Sequence, residues 1–246
     1  MFSRTQLDHP GLTRSEETFH EKTGLKPEDL AGKTVLEAGC GMGRFLDIVS
    51  RNPHTKVIGF DLSLAVDAAF NNIGERSNVD IVQGDIMRPP FRVGSFDLIY
   101  SIGVLHHTPN PRKGFRALVP LIREDGQIAI WVYARYRRPP VSDLYRKFTT
   151  RMPYTMVLAI SRLLAALFSL SRNFQYLTVL LPMSDAADFE ARVLDNFDWY
   201  SPKYQFKFDA QEILSWFSEM NLENITPLKN PISIRGTSRA PAPVED

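Results

Sequence analysis

Glu37 stands two residues before the first of three glycines at alternate positions, Gly39, Gly41 and Gly43, with Cys40 and Met42 between them. Such a loop lets the main chain turn sharply and come close to a ligand, because no Cβ intervenes. Two more carboxylates follow: Asp61, 20 residues after Gly41, and Asp85, directly after Gly84. An ionised carboxylate accepts hydrogen bonds from hydroxyl and amino groups. Adjacent histidines at 106 and 107 are the side chain best suited to moving a proton near neutral pH. Together these residues describe a grip for a nucleotide-sized ligand and a candidate base further along the chain.

The elements around them follow an alternating rhythm. Thr34–Ala38 reads as a strand, then the glycine turn, then a helix from about Met42 to Ser50. Lys56–Phe60 is the second strand and ends at Asp61, where a doubly wound fold places the carboxylate that takes both ribose hydroxyls. A helix over Leu64–Asn72 leads to strand Val79–Gln83, and Phe96–Ser101 is the fourth strand. Pro111–Ile122 reads as helix and Gly126–Tyr133 as the fifth strand. Strands alternating with helices of this length predict a parallel, doubly wound sheet. Later, Asp209–Met220 is an amphipathic helix with Asp209 as its N-cap, and Leu222–Leu228 and Ile232–Ile234 are strands. Near the N-terminus, Leu12–Gly24 reads as a short helix that Gly24 stops.

With 246 residues, 43% of them hydrophobic, the chain can bury a full core, and its net charge of +1 gives no global field to recruit nucleic acid or a membrane. A single cysteine, Cys40, excludes an internal disulfide framework and a cysteine-based zinc cluster, and no metal site is read. Met1–Gly24 is polar and mixed in charge, unlike a secretory signal, which predicts a reducing, cytoplasmic location.

The glycine spacing differs from the G-x-G-x-x-G of dinucleotide folds, whose third glycine comes one place later. Glu37-x-Gly39-x-Gly41-x-Gly43 instead resembles motif I of the class I S-adenosylmethionine (SAM) dependent methyltransferases. Asp61, Gly84-Asp85-Ile86, Phe96–Ser101 and Gly126–Val132 follow in the family's order, and Val104-Leu105-His106-His107 resembles its small-molecule branch. The resemblance implies a Rossmann-like α/β fold, a seven-stranded doubly wound sheet whose last strand is antiparallel. It also implies roles. Glu37 and the backbone of Gly39, Cys40 and Gly41 would hold the amino acid end of SAM. Asp61 would take the ribose, and Leu62 the adenine face. Asp85 and the Ile86 N–H would read the adenine edge, and the Ser101 carbonyl would approach the sulfonium or amino group. In similar O-methyltransferases, one histidine of the pair corresponding to His106 and His107 acts as general base.

The resulting division is an N-terminal helical lid or connector (1–33), a SAM-binding core (34–134 and 197–236), a helical insertion between strand five and the last helix (135–196), and a disordered tail (237–246). The insertion contains apolar helical segments at Tyr154–Leu170 and Phe174–Leu181. Between Arg135 and Met183, eight basic residues face one acidic residue, which favours an anionic or carrier-linked acceptor. Arg135, Tyr200 and Tyr204 are the expected acceptor contacts. Tyr154–Leu170 is too short and interrupted for a membrane span, and a cover, a contact for a homodimer and a membrane face all stay open, the cover foremost. Without an Asn-Pro-Pro-Tyr type motif or a basic stripe beyond the insertion, no nucleic acid partner is expected. The expected function is methyl transfer from SAM to a small molecule, oxygen before nitrogen or carbon. SAM cyclisation or aminocarboxypropyl transfer releasing methylthioadenosine is the runner-up, and a nicotinamide-dependent oxidoreductase or a non-catalytic binding module is remote.

Overall fold

The computed structural model describes residues 14–135, 141–170, 184, 188–230 and 232–239. They form, in chain order, α1 (Arg14–Thr23), β1 (Thr34–Ala38), α2 (Arg44–Val49), β2 (Lys56–Asp61), α3 (Ala65–Ile73), β3 (Val79–Gln83), β4 (Phe96–Ile102), α4 (Pro111–Leu118), β5 (Ile122–Trp131), α5 (Val141–Thr149), α6 (Tyr154–Leu170), α7 (Phe189–Tyr200), α8 (Ala210–Glu219), β6 (Glu223–Pro227) and β7 (Ser233–Thr237). Two compact units result. One holds the described residues up to Arg135 and from Phe206 onward, and the other lies within 136–205.

In the first unit the seven strands form one sheet in the order β3-β2-β1-β4-β5-β7-β6. Neighbours from β3 to β5 pair in parallel, and β7 runs antiparallel between β5 and β6. This is the Rossmann-like sheet that the motif order implied. Side chains alternate across each strand, so one sheet feeds two cores. Leu36, Ile58, Ile99 and Ile128 join Phe115 of α4 and Trp216 and Phe217 of α8 on one face. Val35, Val57, Leu98 and Tyr100 join Phe19 of α1 and Phe45 and Leu46 of α2 on the other. Burying each such side chain stabilises the fold by about 1.5–3 kcal/mol, which is why both faces of the central strands are apolar.

Several boundaries moved for local reasons. The first crossover helix begins at Arg44 rather than Met42, because Gly43, its N-cap, sits at φ +92°, outside helical geometry. Helix α4 stops at Leu118 and gives way to a 3-10 turn over Val119–Leu121. Pro120 lies in that turn and has no N–H to continue an α-helix. Strand β5 consequently starts at Ile122, four residues before the expected Gly126. Asp97, near the start of β4, accepts from the Thr34 N–H at 2.8 Å and pairs with Arg123, which ties β1 to β4 at the edge away from the site.

Helix α1 ends where Gly24 takes φ +68°. Phe19 on it is fully buried, edge-on to Tyr100 at 5.2 Å, so the helix is packed on the sheet.

The second unit has its own small core, Val157 and Leu164 of α6 with Tyr200 of α7. Arg146 of α5 donates to the Trp199 and Pro202 carbonyls at 2.7 and 2.6 Å, and Thr149 Oγ1 donates to the Tyr200 carbonyl. The Asp188 carboxylate caps α7 by accepting from the Ala191 N–H at 2.8 Å. The helix expected over Phe174–Leu181 lies outside the described residues, as do residues 240–246 of the expected tail.

Candidate active site

The carboxyl ends of β1, β2, β3 and β4 open onto a cavity of about 170 Å³ lined by Gly39, Asp61, Leu62, Asp85, Val104 and His107, among others. Gly39, the first glycine of the loop, forms part of its wall. Gly39, at φ +92°, donates from its N–H to the Phe60 carbonyl at 2.6 Å, and Cys40 does the same at 3.1 Å, which folds the loop back onto β2. A Cβ on Gly39 would lie 2.2 Å from Val104 Cγ2, so only glycine lets β1 and the loop after β4 approach this closely. Gly41, at φ +53°, faces open space. Cys40 is buried, and burial first and Glu37 second push its thiol up, so it stays protonated and is not a nucleophile.

Three carboxylates stand in different electrostatic settings. Asp61 Oδ2 accepts from the Gly41 N–H at 2.9 Å, while Oδ1 accepts from the Ser63 N–H at 2.8 Å and the Ser63 hydroxyl at 2.7 Å. A carboxylate has about four acceptor positions, and three are taken. Asp85 Oδ1 accepts from the Met87 N–H at 2.8 Å, an Asx turn that holds the carboxylate at the cavity wall. Glu37 is 3% exposed and accepts from the Tyr100 hydroxyl at 2.9 Å. Burial holds its carboxyl well above the usual range, outweighing the downward pull of the Tyr100 hydrogen bond, and Asp61 adds to the rise.

The apolar wall is equally uneven. Leu62 is 67% exposed at the cavity rim, a large side chain left without cover, whereas Ile86 is buried beside it. Ser101 is fully buried and its hydroxyl donates to the Ala38 carbonyl at 2.8 Å, stitching β4 to β1 directly behind the loop.

The two histidines separate here. A 3-10 turn over Leu105–His107 points them differently. His107 is half-buried on the cavity wall. His106 is fully buried, stacked on Tyr133 at 3.9 Å, and neither ring nitrogen has a hydrogen-bond partner among the described residues. Burial, then His107, then Lys22 lower its pKa to about 2, so the ring is neutral in solution at any working pH. Trp131 Nε1 is likewise buried without a partner, and Lys22 Nζ lies 3.3 Å from the centre of the Trp131 ring. Burial, followed by Arg44, lowers the Lys22 pKa to about 8, against a smaller opposite pull from Glu21.

Of the sequence-predicted residues, Gly39, Asp61, Leu62, Asp85, Ile86 and His107 meet in the cavity wall. Glu37, Cys40, Gly41 and Ser101 build the loop and its backing. Arg135 instead binds the start of α8: Nη1 meets Asp209 at 2.7 Å and Nη2 lies 3.6 Å from Glu212. Tyr200 is 3% exposed in the core of the second unit, and burial raises its pKa to about 12. Tyr204 lies 5.5 Å from Lys203 Nζ in that same unit. Ser63, Trp131 and Tyr133 join the surroundings of the site and are absent from the residues expected there. Ser63, two residues after Asp61, carried a usable sign, since such a serine closes a turn on an aspartate.

Residues 36–130 match the family described as "Methyltransferase domain". This stretch is a class I SAM-dependent methyltransferase domain. The malonyl-[acyl-carrier protein] O-methyltransferase of Legionella pneumophila is 30% identical over 99 residues, 39% of this chain and 35% of that protein. Phosphoethanolamine N-methyltransferase 1 of Arabidopsis thaliana is 30% identical over 145 residues, 58% of this chain and 28% of that protein. The chain thus spans about a third of the length of these relatives. Human N-acetylserotonin methyltransferase, solved with SAM, aligns over 92% of this chain and 51% of its own with a TM-score of 0.54 and 14% identity, a likeness of fold. The cofactor of the methyltransferase domain is SAM, and the residues present fit it: an open glycine loop, an uncovered leucine for a flat ring, and carboxylates spaced along the same edge.

Proposed function

We propose that the protein moves the methyl group of SAM onto a small-molecule acceptor, oxygen before nitrogen or carbon, with His107 as general base. The observation that carries this reading is that His107 lines the same cavity as Gly39, Asp61 and Asp85. Bound SAM supplies a methyl group already activated on a sulfonium. The chain's part is then to position the acceptor, keep water out and take one proton. For a hydroxyl acceptor, His107 would take the hydroxyl proton and pass it on to solvent.

The remaining roles follow from the same surroundings. Asp61, with one acceptor position left on Oδ2, takes one ribose hydroxyl directly, and Ser63 is placed to serve the second. Leu62 covers one face of the adenine, and Asp85 with the Ile86 N–H reads its edge. Glu37 and the backbone at Gly39, Cys40 and Gly41 hold the amino acid end, and the Ser101 carbonyl lies behind them. His106, neutral and fully buried, packs against Tyr133 and is not the base. The acceptor is anionic or carrier-linked in this reading. Malonyl-acyl carrier protein and phosphoethanolamine, the acceptors named for two relatives, are acidic molecules, and Lys22 stands beside Trp131 and His106. Of the acceptor contacts expected from the sequence, Arg135 alone stays in the proposal, and it has to exchange its ion pair with Asp209 for the acceptor; Tyr200, buried in the core of the second unit, and Tyr204 of that same unit do not.

The deciding experiment is incubation of the purified chain with SAM and a panel of acidic small molecules, followed by identification of the sulfur-containing product. S-adenosylhomocysteine formed in step with a methylated acceptor supports the proposal. Methylthioadenosine in its place shows that the aminocarboxypropyl group, or the cyclised fragment, is what leaves, and overturns it.

A further inference from the structure

The second unit presents apolar side chains that its own core does not use. On α5, Leu144 is 55% exposed and Phe148 is 63% exposed, one turn apart. On α6, Tyr154, Met156 and Leu163 are 72%, 51% and 59% exposed. Met156, Ala159 and Leu163 fall at helical spacing on one side, while Val157, Ser161, Leu164 and Ala165 are buried on the other. Exposed residues of this size, gathered on one short stretch of chain, mark an interaction surface. The charges on this stretch have one sign. Lys147, Arg151 and Arg162 are exposed among the apolar groups, and from Leu144 to Leu170 there is no aspartate or glutamate.

We propose that the outer sides of α5 and α6, with the turn between them, dock on an anionic lipid bilayer. Long cations interleaved with large apolar side chains suit a headgroup layer, where the stems lie along the acyl boundary and the charged ends reach anionic headgroups. The helix lies on the bilayer and does not cross it. No described helix is long and apolar enough to cross a membrane. Helix α6 has 17 residues, about 25 Å at the helical rise, against about 30 Å of hydrocarbon. Arg162 is its ninth residue, so a crossing orientation would put the guanidinium at the midplane, the costliest depth. Lying flat, the same guanidinium reaches the headgroups.

The full chain is tested by co-sedimentation with phosphatidylcholine vesicles, with and without about one third phosphatidylglycerol. Binding to the anionic vesicles is expected to be about tenfold or more the stronger, and to weaken as salt rises. Replacing Phe148→Ser and Leu163→Ser together should lower binding about tenfold or more with an unchanged melting temperature, because both side chains are exposed. Replacing Lys147→Gln and Arg151→Gln together should remove the anionic preference. The proposal fails if the chain stays in the supernatant at every composition, or if the serine variant binds as well as the parent. It fails equally if, without lipid, the chain sediments as a dimer that the serine variant dissolves, which makes a second copy the occupant. Tighter capture by a purified acidic carrier protein than by vesicles, lost in the serine variant, assigns the surface to a protein and also overturns it.

Discussion

The two halves of the carboxyl edge are built on opposite principles. Under β1, β2 and β3, the carboxylates are held in place by short local bonds and keep acceptor positions open: Asp61 by Gly41 and Ser63, Asp85 by Met87. Beyond β4 and β5, His106 and Trp131 are buried with ring nitrogens that have no partner among the described residues. The first half is a finished mould, and the second holds donors and an acceptor in place without partners. Burying an unpaired polar group costs about 1–3 kcal/mol. Neither His106 nor Trp131 lines the cavity, so this cost is carried in the packing behind its wall.

The comparison can be broken in four ways, the first carrying the largest effect. If the β4 side supplies the base, His107→Ala should lower turnover by about 10²–10⁴-fold while SAM affinity measured by calorimetry stays nearly intact. Turnover unchanged at every pH would remove His107 from that role. If the mould depends on close approach at the loop, Gly39→Ala should destabilise the fold or the bound state by about 2–4 kcal/mol, from the positive φ and the clash with Val104 together. A Gly39→Ala/Val104→Ala pair that recovers part of this in denaturant titrations would localise the clash.

A smaller effect is expected at Asp61. Asp61→Ala should weaken SAM binding by about 1–3 kcal/mol, and a Ser63→Ala change on top of it should add less than it costs alone, because the two share one network. Full additivity would separate Ser63 from the ribose grip.

The fourth effect is a slope. His106 has a folded pKa of about 2, below the roughly 6.5 of an unfolded histidine. Its contribution is therefore fully present above about pH 6.5 and is lost as pH falls from there towards the folded value. Each pH unit in that window should cost about 1.4 kcal/mol at most. Melting curves of His106→Phe should fall less steeply than those of the parent between pH 6.5 and pH 4. Parallel curves would mean that His106 has a proton partner in solution that its buried setting does not reveal.

The same contrast explains what could be read from the chain. The mould was legible because its chemistry hangs on the backbone and on carboxylates at fixed offsets from glycines, and such offsets survive in one dimension. Asp61 and Asp85 stood where a doubly wound sheet must end its strands. The boundary of α2 was missed because Gly43 reads as helix in a hydrophobic pattern, and only its left-handed φ delays the start. The other half depends on meetings between distant residues. Lys22 over Trp131, and His106 on Tyr133, join α1, the turn after β4 and the end of β5. Nothing in local spacing distinguishes His106 from His107, yet one turn of chain makes the first a sealed ring and the second a wall of the cavity. Arg135 looked like an acceptor contact by position, and only the folded chain reveals Asp209 and Glu212 waiting for it.

Cys40 is the chain's one thiol, and it is enclosed between the glycine turn and the second strand, where a Cβ on Gly59 would come within 3.1 Å of its sulfur. An alkylating reagent can therefore reach it only when that turn lifts away. The rate of labelling becomes a stopwatch for unlatching, read from a single position with no engineered probe. Slowing of that clock by adenosyl ligands would show how firmly each one pins the turn shut.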